Sequence, residues 1–327
     1  YFSPKDKSIL YCGYVVIYKS VDGGMTWNQI TDWWASGRGL PEIHADHHFI
    51  GHHPLDPDQL YFGCDGGVYR YRESTEQWEE LVNGLAITQF YKMDISMTNP
   101  PVLIGGSQDN GGWVRRSNQS WGNTNGGDAM SQVIDPSNPA IGYTEYWGGN
   151  AVYRTTNGFN NLTDITQNIG ANLPGQWVTP FSLNPGNPST FIIGYDDLFV
   201  SYDRGTRFVR ITNNLTGSTD NDLREVRISP ADTQFIVATR ANICYTSKDF
   251  GKTWKSAALV TTLEITGVEF HPKNAQRIWC TRGGLGAVKV MESNNQGGSW
   301  SNITRNMPNV PVLCIRFDEP SNVLFLG

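Results

Sequence analysis

The chain of 327 residues is short of charge, of cysteine and of long apolar runs, and each shortage excludes a class of protein. Charged residues make up 17%, and the net charge of −6 comes without a basic run, which argues against a nucleic-acid partner. No apolar segment reaches the roughly 18 residues of a membrane-spanning helix. No segment has the periodicity of an amphipathic helix, so an all-β protein is expected.

The cysteines are few and odd in number, and they lie within strand-like runs: Cys12, Cys64, Cys244, Cys280 and Cys314. An odd, sparse set does not form a disulfide framework, and its spacing is not that of a metal site. We therefore expect buried free thiols, no resident metal and no cofactor.

A repeat with a period of 46 residues is the most informative feature that is present. An eight-residue segment at Ser201–Phe208 recurs at Ser247–Trp254 and again at Ser293–Trp300, and a weaker copy occupies 155–162. The sharpest copy is Ser20-Val-Asp-Gly-Gly-Met-Thr-Trp27. A fixed period in this range indicates an array of similar units, and a four-stranded propeller blade has about this length.

The letters of the repeat have a physical reason. Asp or Asn at the third position accepts hydrogen bonds from the following backbone and closes a turn. Gly at the fifth position adopts a left-handed conformation, and the closing aromatic buries a large area between neighbouring sheets. The pattern resembles the Asp box of the bacterial neuraminidase repeat. That resemblance implies a structural role for the third-position residues, on the face away from the usual binding site: Asp22, Asp203, Asp249 and Asn295.

The residues that close these segments predict a β-propeller of four-stranded blades, with seven blades or as part of a larger ring; all are aromatic except Leu162. They recur at about 46-residue intervals, at residues 27, 78, 121, 162, 208, 254 and 300. Pro-rich turns followed by β-rich runs alternate with them. We expect residues 1–327 to form a single propeller domain that belongs to a longer secreted chain with further domains.

Polar and aromatic residues concentrate in the loops predicted to lie opposite the boxes. The candidate ligand-binding residues are His44, His47, Asp65, Gln108, Asp109, Asn110, Trp147 and Trp177. Polar groups beside glycines on such loops are typical of a functional surface. The runs His44–His48, Asp65–Tyr69 and Gly105–Gly111 resemble those of sortilin and xyloglucanase-type propellers in large secreted bacterial proteins.

Three interpretations of this surface remain open. The first is recognition, in which carboxylates and amides bind a partner while Trp147, Trp177, Trp33 or Trp34 stack on it. The second is glycoside hydrolysis by two carboxylates, with Asp46 and Asp128 as the catalytic candidates. The third is a metal site in the histidine run, where a strand would bring His44, Asp46 and His48 to one face.

Recognition is the interpretation that we favour. A sialidase is disfavoured because the chain has no Arg-Ile-Pro motif near its start. The expected protein is an extracellular or cell-surface recognition or scaffold domain that binds a glycan or an extracellular protein. A xyloglucanase-like glycoside hydrolase is the alternative.

Overall fold

The computed structural model of the protein describes residues 1–34, 36–171, 174–217, 223–259 and 262–327. Its contacts divide the chain into two compact units, Tyr1–Gln89 and Phe90–Gly327. Regular structure in the described residues is almost entirely β, with two single 3-10 turns at Trp147–Gly149 and Thr166–Asn168. None of the described helices is long and apolar enough to cross a membrane.

The first unit contains two antiparallel sheets whose strands are neighbours in sequence order. The three-stranded sheet consists of β1 (Leu10–Gly13), β2 (Ile17–Ser20) and β3 (Asn28–Gln29). The four-stranded sheet consists of β4 (His47–His53), β5 (Asp56–Cys64), β6 (Gly67–Arg72) and β7 (Gln77–Glu80).

The second unit continues the same arrangement through five four-stranded sheets and a final two-stranded one. The first consists of β8 (Phe90–Ile95), β9 (Leu103–Ser107), β10 (Gly112–Arg115) and β11 (Trp121–Asn123). The second consists of β12 (Ala129–Ile134), β13 (Gly142–Tyr146), β14 (Ala151–Thr155) and β15 (Thr163–Asp164). The third consists of β16 (Phe181–Asn184), β17 (Asn187–Gly194), β18 (Leu198–Ser201) and β19 (Val209–Arg210). The fourth consists of β20 (Glu225–Ile228), β21 (Ile236–Arg240), β22 (Ile243–Ser247) and β23 (Lys255–Ala258). The fifth consists of β24 (Ile265–Phe270), β25 (Ile278–Arg282), β26 (Val290–Ser293) and β27 (Ser301–Asn302). The two-stranded sheet consists of β28 (Ile315–Asp318) and β29 (Val323–Leu326).

The predicted all-β class and its four-stranded blades are therefore confirmed. Each sheet is an antiparallel meander, so the first and third strands of a blade run in the same direction. Seven sheets have three or four strands, as the seven closing residues predict, and the two-stranded sheet follows them.

The repeated segments form tight turns between the last two strands of their sheets. In the turn after β22, the Ser247 hydroxyl accepts a hydrogen bond from the Gly251 amide at 2.7 Å and donates to Asp249 at 2.8 Å. Asp249 also accepts from the Thr253 hydroxyl at 2.6 Å and the Thr253 amide at 2.8 Å, and these bonds lower its pKa to about 2. Gly251 takes φ +86°, a conformation that side chains resist.

The same Ser-to-carboxylate and Ser-to-Gly bonds occur at the other copies. Asp22, Asp203 and Asn295 each accept a hydroxyl hydrogen bond from the serine two residues earlier. Each also accepts an amide hydrogen bond from the residue four positions later. All four residues therefore serve their own turn.

The core lies between successive sheets, and the closing aromatics of the turns take part in it. Phe208, Trp254 and Trp300 each pack on a cluster that joins their own sheet to the preceding one. In the first of these clusters the rings of Tyr143 and Phe191 stack with centroids 4.4 Å apart. The predicted packing of these aromatics between sheets is confirmed.

The expectation of buried thiols is right for two of the five cysteines, and Cys64 is only partly buried. Cys244 and Cys280 are buried, and burial raises the pKa of Cys244 to about 12. Cys12 and Cys314 are exposed. Cys12 alternates with buried Tyr11 on the edge strand β1, and Cys314 precedes β28, so a strand-like run did not suffice to place them inside.

Candidate functional site

The histidine run of the first unit does not lie on one strand as expected. β4 begins only at His47, and Asp46 before it has φ +63°, so strand alternation does not extend back to His44. The predicted shared face of His44, Asp46 and His48 is therefore wrong. The side chain of His44 packs on Gly66, where a Cβ would lie 2.3 Å from its ring.

His47 and His48 have different environments. The His47 ring is only 8% exposed, stands edge-on to Phe62, and its nitrogens have no hydrogen-bond partner among the described residues. Burial lowers the pKa of His47 to about 4, so this imidazole is neutral at physiological pH. His48 is exposed, and its Nε2 lies 2.7 Å from Asp65 Oδ1. Of the predicted residues here, Asp65 is thus engaged by a histidine and His47 is the least accessible.

In the second unit, the loop between β9 and β10 is fixed against the next blade by glycines. A Cβ on Gly106 would lie 2.3 Å from the Met130 carbonyl oxygen, so only glycine permits this approach. Gly111 takes φ +74° and donates its amide to the Gly127 carbonyl at 2.8 Å. The loop that carries Gln108, Asp109 and Asn110 is therefore tied to the loop that carries Asp128.

Asp128 links three of these loops. Its Oδ1 accepts the Asp109 amide at 3.1 Å, while its backbone carbonyl accepts the Trp147 amide at 3.1 Å. Asp109 has φ +58°, and Asn110 accepts the Trp113 indole N–H on its carbonyl at 2.9 Å. The structure thus brings together the predicted residues Asp109, Asp128 and Trp147.

Two tryptophans stack beside a tyrosine on the same loops. The rings of Trp147 and Trp177 are 5.6 Å apart and inclined by 25°. Trp177 Nε1 donates to the Tyr91 hydroxyl at 3.2 Å, and that hydroxyl donates in turn to Gln108 Oε1. Trp177 is 43% exposed and Tyr91 37% exposed, so this chain of contacts lies at the surface. We call Tyr91, Gln108, Trp147 and Trp177 the aromatic site.

A fully buried carboxylate supports the aromatic site from below. Glu145 Oε1 accepts the amides of Ser131 and Thr179 at 3.2 and 2.9 Å, and Oε2 accepts the Gly149 amide at 2.8 Å. The Gly148 amide donates a hydrogen bond to the Trp177 carbonyl oxygen at 3.0 Å. Burial raises the pKa of Glu145 well above its ordinary value.

A charged cavity between the innermost strands of the second unit was missed by sequence reasoning. The cavity has a volume of about 400 Å³, and its charged lining residues are Lys92, Asp94, Glu225, Arg227, Glu269 and Arg316. They lie on the first strands of blades, whereas the sequence patterns predict functional residues only in loops. Charged residues inside otherwise apolar predicted strands, such as Glu225-Val-Arg227, are the sequence feature that could have indicated this cavity.

The comparisons with solved structures place the chain in the class of β-propellers. It is similar to the β-propeller domain of Cps50 (Swd1) from Myceliophteria thermophila, with a TM-score of 0.53 at 11% identity over 84% of this chain and 90% of that one. It is also similar to an ancestral GH74 enzyme, with a TM-score of 0.60 at 16% identity. That match covers 73% of this chain but only 35% of the enzyme chain.

A third similar structure is YCF48 from Cyanidioschyzon merolae, with a TM-score of 0.51 at 15% identity over 86% of this chain and 92% of that one. The family described as Sortilin-Vps10 (sortilin, neurotensin receptor 3) matches residues 196–321. The resemblance to sortilin and xyloglucanase-type propellers is thereby confirmed. No curated protein sequence matches the chain.

Proposed function

We propose that this chain is a recognition or scaffold propeller and that its aromatic site binds a glycan or an extracellular protein. The observation that carries the proposal is the half-exposed Trp147–Trp177 stack, whose orientation is fixed through Tyr91 and Gln108. Exposed aromatic rings present large apolar faces to sugar rings or to a partner's side chains. We also propose an extracellular or cell-surface location, with further domains of the same parent chain as neighbours.

Preorganisation supports binding at this site. The Trp177 ring is held by its indole hydrogen bond, and its backbone is tied to Gly148 at 3.0 Å. Because the rings are already ordered, association costs less conformational entropy than it would for mobile side chains. The exposed Gln108 amide adds hydrogen-bonding groups beside the rings.

Glycoside hydrolysis remains the alternative proposal, with Asp46 and Asp128 as its carboxylates. The similar GH74 structure supports the shared fold only, because the identity is 16%. Asp128 already accepts a backbone N–H from Asp109, which gives it a structural task in the loops. Recognition without turnover is therefore the primary proposal.

A panel of polysaccharides, oligosaccharides and secreted proteins tests the proposal with the full chain. Binding and release of reducing ends are scored for the wild type, Trp177→Ala and Trp147→Ala. Trp121→Ala is the matched control, since Trp121 is also exposed, at 52%, but lies on the outer strand β11. We expect both site variants to lose about tenfold or more in affinity and the control to bind normally.

Two outcomes would overturn this account. Unchanged affinity in both site variants would remove the aromatic site from recognition. Product release that disappears in Asp128→Asn or Asp46→Asn would replace recognition by hydrolysis. Binding of proteins but of no polysaccharide or oligosaccharide would identify the partner as a protein and leave the assignment of the aromatic site unchanged.

A further inference from the structure

The charged cavity of the second unit lies toward the face of the boxes, away from the aromatic site. Its lining includes the prolines that follow four innermost strands: Pro136, Pro185, Pro230 and Pro272. The first and third strands of a blade end on the same side, and the box turns begin where third strands end. The loop with Gln108 follows a second strand and so lies on the opposite side.

The acidic groups of the cavity are already engaged. Lys92 Nζ pairs with Glu225 Oε1, and an Arg316 terminal nitrogen lies 3.0 Å from Glu269 Oε2. Both carboxylate oxygens of Asp94 accept backbone amides, those of Ile95 and Ile134, at 2.9 Å. The three acids therefore have partners that do not include the end of the Arg227 side chain.

Arg227 is the basic group of the cavity whose terminal nitrogens are the least engaged. Its Nε lies 3.5 Å from Glu225 Oε2, a carboxylate that Arg227 shares with Lys92. Its terminal nitrogens donate no hydrogen bond within the ranges that the structure describes, and its side chain keeps 29% exposure where it lines the cavity. Burial opposes its charge, but Glu225, Glu269 and Asp94 outweigh burial and raise its pKa, so the guanidinium stays ionised.

An ionised guanidinium with unused parallel N–H groups fits one ligand chemistry. The planar fork of arginine binds carboxylate, sulfate or phosphate oxygens in pairs, and such charge-assisted bonds are strong. A volume of about 400 Å³ admits a molecule larger than a bare ion. We infer that this cavity binds the oxyanion group of a small molecule, with Arg227 as its main contact and Lys92 and Arg316 beside it.

This inference is independent of the aromatic site, and titration calorimetry of the full chain tests it. The probes are sodium sulfate, sodium phosphate and sodium malonate, each measured against sodium chloride at the same ionic strength. The variant is Arg227→Gln, and the control is Arg207→Gln, whose side chain is 87% exposed on a box turn. We expect saturable binding of at least one probe, about tenfold weaker in Arg227→Gln and unchanged in Arg207→Gln.

The experiment has a defined failure. No saturable binding of any probe to the wild type, or equal affinity in Arg227→Gln, overturns the inference. Should Arg227→Gln not fold, Arg227→Lys takes its place, because lysine keeps the charge but lacks the paired N–H groups, and unchanged affinity in that variant has the same meaning. The probe that binds best distinguishes a carboxylate ligand from a sulfate or phosphate one.

Discussion

Glu145 and Glu225 are both buried in the second unit, yet their pKa values move in opposite directions. Burial raises the pKa of Glu145 and outweighs the three backbone amides that donate to its carboxyl group, which act to lower it. Burial also acts on Glu225, but Lys92 and Arg227 outweigh it and lower the pKa. The aromatic site thus rests on a carboxyl group without a cation, whereas the cavity depends on ion pairs. Changes in charge should therefore affect the two regions differently.

Removing Glu225 is expected to have the largest effect on stability. Glu225→Ala leaves Lys92 and Arg227 in the cavity without their shared counter-charge. Loss of one partner of a buried pair costs about 3–5 kcal/mol in the free energy of unfolding. Urea unfolding measures this, with Glu319→Ala as the control, since its pair with Lys273 is exposed and worth about 1 kcal/mol or less. An equally small effect of both variants would mean that the cavity does not depend on ion pairs.

Glu145→Ala should destabilise the protein by about 3 kcal/mol, because the amides of Ser131, Gly149 and Thr179 lose their acceptor. Glu145→Gln keeps a carbonyl acceptor and is the matched control, with a smaller expected loss. Urea unfolding and partner binding are measured on both variants. If Glu145→Ala binds and unfolds like the wild type, the support of the aromatic site by this residue is refuted.

The smallest effect is a contrast in pH dependence between Glu145→Gln and Glu225→Gln. The stability that Glu225 contributes is present above its unfolded pKa of 4.5 and is lost as the pH falls through the lower folded pKa. The contribution of Glu145 has the opposite sign: it is present below 4.5 and is lost as the pH rises through the raised folded pKa.

Unfolding free energies at about pH 4 and about pH 8 measure this contrast. The difference in unfolding free energy between the wild type and Glu225→Gln should be smaller at the acidic pH. The difference between the wild type and Glu145→Gln should be smaller at the alkaline pH. Differences that change in the same direction would contradict the assignment of opposite environments.

The repeated architecture was predictable because local chemistry specifies it. Ser, Asp or Asn and Gly at fixed spacing form the same bonds at Asp22, Asp203, Asp249 and Asn295. The loops of the aromatic site were also identifiable, since glycines and polar residues interrupt strand-like runs. The contact between Tyr91 and Trp177, 86 residues apart, was not, because only the packing of different blades creates it.

The charged cavity was missed for a physical reason. The side chains of a first strand face neighbouring sheets. In the sequence, Asp94, Arg227 and Glu269 are therefore isolated charges within β segments. Partners of Asp94 and Glu269 come from other blades, at Ile134 and Arg316. For the histidine run, the turn at Asp46 with φ +63° makes β4 begin only at His47, later than the alternation pattern suggested.

The most direct test of the central claim is the affinity of one ligand from the binding panel for the wild type, Trp177→Ala and Trp121→Ala, measured by titration calorimetry. Recognition at the aromatic site predicts a dissociation constant about tenfold or more higher for Trp177→Ala and unchanged for Trp121→Ala. Equal dissociation constants for the wild type and Trp177→Ala would contradict it.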